Sequence, residues 1–207
     1  MAVGHTAPIA LLAPLLLAAI SASPAWATAM RQEQYDAKIK QIVSQITRYG
    51  QELAGQSDAS ASEICARSSA SLMDLDAVVN VSSEDVRDRM SPAQRDAYRD
   101  AATRWIIRRC VQENRGNRGE NPQFLGVRRG DSGDRLLALK TETPPHFVIW
   151  RLRGDEKPRV VDVIMDGVSM ALTLRNETNA LLGQDEKDVD GMIKALARRG
   201  RDAAGGQ

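Results

Sequence analysis

Between Arg115 and Pro122 the chain changes its hydrophobic period, and that change constrains the fold more than any other feature. Upstream, apolar residues recur every three or four positions, the spacing of a helix face. Downstream come short extended runs separated by turn residues. After Asp166-Gly167 the helical spacing returns. Helices, then strands, then helices is the order of an α+β domain, not of a doubly wound parallel sheet.

The first helical stretch spans residues 31–54 and places Ile39, Ile42, Val43, Ile46, Tyr49 and Leu53 on one face. Gly55 and the polar residues near Ser57 end it. A second begins near Ser60 and runs past Cys65, followed by a dense apolar patch of Leu72, Met73, Leu75, Val78 and Val79. Ser91-Pro92-Ala93-Gln94 carries a capping residue, a proline suited to the first helical turn and a capping-box partner. The helix it opens should reach about Asn114, with Tyr98, Ala102, Trp105, Ile106 and Cys110 on its inner face. Four strands are predicted: Gln123–Arg129, Arg135–Thr141, Phe147–Arg153 and Arg159–Met165. Their short connections favour antiparallel neighbours. Phe147 and Ile149 should enter the core with Leu152 or Trp150, although alternation alone leaves the face of Trp150 open. Two helices follow, about Met170–Leu182 and Val189–Arg199.

The first 27 residues read as a secretory leader. Ile9–Ile20 is apolar but too short to span a bilayer, and Ala25-Trp26-Ala27 fits a cleavage site, with Ala29 as a second choice. Residues 28–199 then form a single domain, and residues 200–207 a disordered tail. Roughly 180 residues suffice for one well-buried core. In an exported chain the two cysteines, Cys65 and Cys110, read as a disulfide rather than as two buried thiols.

Chemistry is sparse. The formal charge of +1 argues against nucleic acid as a partner. Arg104, Arg108, Arg109, Arg115, Arg118, Arg128 and Arg129 make the middle of the chain basic, as a solvated face or as a docking surface. No metal site is expected, since only His146 follows the leader and no cysteines cluster. Gly167-Val-Ser169-Met-Ala171 lacks the second glycine of a nucleophile elbow. A Ser169–His146–Asp162 triad is conceivable, but Ser169 is better read as capping the helix that follows. A binding protein without cofactor, and not an enzyme, is the better reading.

Val161-Asp162-Val163-Ile164-Met165-Asp166-Gly167-Val168-Ser169-Met170, then Arg175-Asn176-Glu177, then Asp190-Gly191-Met192-Ile193-Lys194-Ala195-Leu196, resembles the C-terminal signature of MlaC, or toluene-tolerance, proteins. Ser91-Pro92-Ala93-Gln94-Arg95 resembles the family's other recurrent motif, and the likeness covers most of residues 60–199. Val161 stands where the family has Tyr, and Asp166 where it has Glu. The resemblance implies a periplasmic phospholipid shuttle, an auxiliary component of an ABC transporter. Its partners would be an inner-membrane ABC transporter with an MCE-domain subunit and an outer-membrane lipoprotein complex, and its role the maintenance of outer-membrane lipid asymmetry. The implied fold is a twisted antiparallel four-stranded sheet packed with helices around an apolar lipid cavity, with an NTF2-like cone as one form it could take. Two other readings stand beside it: a hopanoid-associated lipid binder, and a lipid-active enzyme on a similar fold. A third is a scaffold docking through its arginines.

One sixteen-carbon tail exposed to water costs on the order of 12 kcal/mol, at about 0.8 kcal/mol per methylene. A carrier must therefore enclose its cargo. The residues expected to touch lipid tails are Leu75, Val78, Val79, Trp105, Phe147, Ile149, Val163, Met165, Val168 and Met170. Flexible methionines among them suit a variable guest.

Overall fold

The computed structural model describes residues 24–183 and 188–201, and the side chains from Glu33 onward. The expected leader up to Ser23 and the tail from Asp202 lie outside the described residues. The chain divides into two units, residues 1–34 and 35–207. In the first, the described backbone is helical from Pro24.

Six helices and five strands follow in the order α1 (Pro24–Leu53), α2 (Asp58–Leu72), α3 (Leu75–Ser82), α4 (Pro92–Glu113), β1 (Gln123–Arg129), β2 (Arg135–Glu142), β3 (Pro145–Arg153), β4 (Arg159–Met165), β5 (Val168–Ser169), α5 (Met170–Gly183) and α6 (Val189–Arg199). The four predicted strands are present with nearly the predicted limits. The architecture is α+β, with an antiparallel sheet in the order β1-β2-β3-β4-β5. The fifth strand is an addition. Asp166 and Gly167 both take positive φ, 50° and 86°, and turn the chain so that Met165 pairs with Val168. Asp-Gly is the residue pair that tolerates such a two-residue hairpin turn.

Local chemistry explains where the helices start. The Gln94 amide donates to Ser91 Oγ at 3.2 Å, and the Ser91 amide donates to Gln94 Oε1 at 2.9 Å, so the capping box is complete. The same Gln94 donates from Nε2 to Asp190 Oδ1 at 2.8 Å, tying α4 to the first turn of α6. The dense patch Leu72–Val79 is two helix ends, because Asp74 caps α3 by accepting from the Ala77 amide at 3.0 Å. Between them Met73 bridges Val160 of β4. The Arg159 guanidinium caps the other side of that break, donating to the carbonyls of Ala70, Ser71 and Met73.

Side chains from α3 to α6 form a dense core. Val78, Tyr98, Leu174, Thr178, Met192 and Leu196 are all fully buried. The Tyr98 hydroxyl donates to Ser82 Oγ at 3.0 Å and hydrogen-bonds Thr178 Oγ1 at 2.9 Å, which satisfies a polar atom that α4 sends into this core. Burial pushes the Tyr98 phenol pKa up.

Alternation decides the sheet's faces. Leu137, Trp150 and Val163 lie opposite one another, as do Leu139, Val148 and Met165. Leu137, Leu139 and Val148 are buried, so these rows form the face toward the helices. Trp150 therefore faces inward. Phe147 and Ile149 take the other face, correcting their expected place in the core: Phe147 is 44% exposed and Ile149 is outside the buried core. The Cys65–Cys110 disulfide joins α2 to α4, with the two Cα atoms 5.9 Å apart.

Candidate lipid-binding cavity

A cavity of about 420 Å³ lies between the inner face of the sheet and helices α1, α2 and α4. That volume falls within the range of roughly 300–1,000 Å³ seen for small-molecule sites. Its floor is hydrocarbon. Leu72, Met73, Ile106, Leu139 and Val148 line it and are buried. Ile46 and Leu53 of α1 and Trp150 of β3 extend the same lining. The walls toward β5 and α5 are Val163, Met165, Val168 and Met170.

Polarity increases toward one end. Arg109, Glu113 and Asn114 come from the last turns of α4, and Asn117 and Glu120 from the loop after it. Thr141, Glu142, Thr143, His146 and Asp166 come from the adjoining ends of β2, β3 and β4. Glu120, Glu142 and Asp166 are exposed and mark the mouth.

The rim is built by hydrogen bonds. Asp166 Oδ1 accepts from the Phe147 amide at 2.9 Å, and Oδ2 pairs with His146 Nδ1 at 2.7 Å. These two contacts hold the Asp166 carboxyl below the usual carboxylate pKa. They also fasten the β4–β5 turn to the start of β3. Asn117 donates to the Gly50 carbonyl at 2.8 Å and accepts from the Gly119 amide at 2.8 Å, which seats the loop on α1. Tyr49 Oη and Ser71 Oγ, 3.0 Å apart, join α1 to α2.

Of the ten residues expected at the lipid, the structure brings Val163, Met165, Val168 and Met170 together on the cavity wall. Leu75, Val78, Val79, Trp105, Phe147 and Ile149 lie off it. Leu75 and Val79 pack against the helical core, and Val78 is buried within it, because the Asp74 cap turns α3 away from the cavity. Trp105 donates its indole N–H to Glu177 of α5. Phe147 and Ile149 point to the far face by strand parity. Sequence reasoning missed the contributions of α1 and α2 and of Leu139, Val148 and Trp150. Cross-strand pairing with Val163 and Met165 is the signal that would have found the last three.

Ser169 Oγ donates to Asp162 Oδ2 at 2.6 Å and accepts from the Leu172 amide at 3.1 Å. Asp162 Oδ1 accepts from the Ala171 amide at 3.0 Å. Both side chains serve the start of α5, while His146 is bound to Asp166 instead. The conceived triad is therefore not assembled, and Ser169 has the capping role. Among the described residues no group of three or more His, Cys, Asp or Glu could hold a metal, and no helix is long and apolar enough to cross a membrane. Several arginines of the basic middle make internal ties: Arg108 donates to the Arg199 carbonyl, Arg109 pairs with Glu113 at 2.6 Å, and Arg115 pairs with Asp58 at 2.6 Å.

The model of the MlaC protein family matches residues 37–198. This chain belongs to the MlaC family. The match contains the whole cavity lining, from Ile46 to Thr173. Comparison with curated proteins finds no match. Among solved structures, the fold is similar to that of a phospholipid-binding protein from Ralstonia solanacearum, solved in complex with a phospholipid. The TM-score is 0.68 at 15% identity, covering 82% of this MlaC-family chain and 98% of the other. At that identity the likeness is one of fold. The expected family and fold class are thereby met.

Proposed function

We propose that this chain is a periplasmic phospholipid carrier. The observation that carries the reading is the apolar-floored cavity that becomes polar at one end. Hydrocarbon tails fit the floor, and a headgroup fits the hydrated rim. Family membership supports it, as does a fold shared with a protein solved with phospholipid bound. Leu72, Met73, Ile106, Trp150, Val163, Met165, Val168 and Met170 would contact the tails.

In this reading residues 1–27 direct export and are removed, and residues 28–199 form the lipid-binding domain. The carrier moves phospholipid between an outer-membrane lipoprotein complex and an inner-membrane ABC transporter with an MCE-domain subunit, preserving outer-membrane lipid asymmetry. Export also suits the Cys65–Cys110 bridge, since disulfides persist in oxidising compartments. The protein acts by binding, with no cofactor other than its cargo.

Native mass spectrometry of protein purified without detergent, followed by lipid extraction, tests this. The expected result is a stoichiometric phospholipid adduct. A hopanoid in its place would redirect the cargo assignment. Absence of any lipid, with no rise in melting temperature on adding phospholipid, would sink the carrier reading.

A further inference from the structure

Arg109 is the one lysine or arginine among the described residues of the cavity wall. The other ionisable groups there that bear on the rim are the carboxylates Glu113, Glu120, Glu142 and Asp166 and the imidazole of His146. Arg109 is fixed at the boundary between floor and mouth. Ile106, one turn earlier on α4, is buried on the floor, and Cys110, next in sequence, is bridged to α2. The guanidinium's contact is Glu113, one turn later, at 2.6 Å, in a pair open to solvent. Such pairs are weak. A phosphodiester, which arginine grips by the same two-pronged geometry, can replace the carboxylate at little cost.

The carboxylates differ in how far they are already satisfied. Asp166 is held by His146 and the Phe147 amide. Glu142 has Lys140 at 3.2 Å, outside the cavity. Glu120 accepts a hydrogen bond from Thr143 Oγ1 at 3.3 Å and has no cationic partner among the described residues. The cavity wall thus offers one arginine and an excess of carboxylates around it.

We propose that this mouth selects glycerophospholipids whose headgroup carries an amine, with the phosphate on Arg109 and the ammonium facing Glu120 and Glu142, over lipids of net negative charge. The proposal rests on the carrier reading above. A phospholipid without a headgroup cation leaves its phosphate charge unbalanced beside a rim already rich in carboxylates. An exposed carboxylate–ammonium contact gives about a five-fold preference.

The test loads the full chain from vesicles containing equal amounts of phosphatidylethanolamine and phosphatidylglycerol with identical tails, and measures the lipid recovered with the protein. The unmodified protein should take up the ethanolamine lipid about five-fold in excess. The double change Glu120→Gln and Glu142→Gln should bring that ratio close to one. Arg109→Gln should reduce phospholipid uptake several-fold while uptake of diacylglycerol, which has no phosphate, is unchanged. Recovery in the vesicle ratio by the unmodified protein overturns the selectivity. Equal loss of phospholipid and diacylglycerol in Arg109→Gln overturns the phosphate contact. Failure of the unmodified protein to take up any lipid overturns the carrier reading itself.

Discussion

The two apolar regions of this protein use the same kinds of residue to opposite ends. Where α3, α4, α5 and α6 meet, Leu174, Met192 and Leu196 are enclosed by their own neighbours, and the buried hydroxyls of Tyr98, Ser82 and Thr178 satisfy one another. Where α1 and α2 face the sheet, Trp150, Val163 and Met170 pack against the core on one side and border 420 Å³ of space on the other. Hydrophobicity alone does not separate these regions. The distinction is geometric: helices interlock with helices in one, whereas a sheet meets helices across a gap in the other. The first is closed on itself, whereas the second borders space that a guest could fill.

A single charge in the open region should break the comparison most visibly. Val163→Arg puts a guanidinium onto the cavity wall, and bound lipid measured by extraction should fall at least ten-fold, since an unpaired charge does not share an apolar space with hydrocarbon. Far-ultraviolet circular dichroism should stay native, because the packed helices are untouched. If lipid remains, the cavity is not the lipid site.

Next in size is the joint between the regions. The disulfide links positions separated by 45 residues, and the chain-entropy model gives about 4 kcal/mol for a loop of that length. Cys65→Ala with Cys110→Ala should lower stability in urea by an amount of that order. In the packed region, Leu174→Ala should cost about 3 kcal/mol and lower the melting temperature equally with and without lipid. A lipid-dependent loss would show that the two regions are not energetically separate.

The smallest effect belongs to the surface of the packed region. Arg175 binds Asp85 through two hydrogen bonds, and Asn179 adds a third. These contacts lower the Asp85 pKa to about 2. A depressed folded-state value means that the contribution is complete above the unfolded value, about 4, and is lost as pH falls toward 2. Asp85→Asn should therefore weaken the fall in melting temperature across that window and leave lipid content unchanged.

How much was legible in the sequence follows the same division. The packed region is governed by local signals, and its helix on Ser91 begins where the capping box says. Strand limits were nearly as readable: Gly154-Asp155 ends β3 as expected, while Pro145 already pairs with Glu142, so that strand opens two residues before the expected Phe147. Membership of the cavity was not. Val78 and Val163 are the same residue type in comparable apolar runs, yet one is sealed among helices and the other borders open space. What separates them is the rotation imposed on α3 by Asp74 and the parity imposed on β4 by its neighbours. Neither can be read from a residue without its partners. Strand β5 escaped notice for a simpler reason: two residues are too few to show a period.

One row of the sheet, Phe124, Leu139, Val148, Met165 and Val168, runs from edge to edge. It is buried at Leu139 and Val148, and reaches 50% exposure at Phe124 and 58% at Val168. Followed outward, it passes from dry to wet by degrees and carries no polar side chain on the way. If the chain carries lipid as proposed, a methylene sliding along such a ramp would exchange oily neighbours one by one, so that no stage of the journey would strand a whole tail in water.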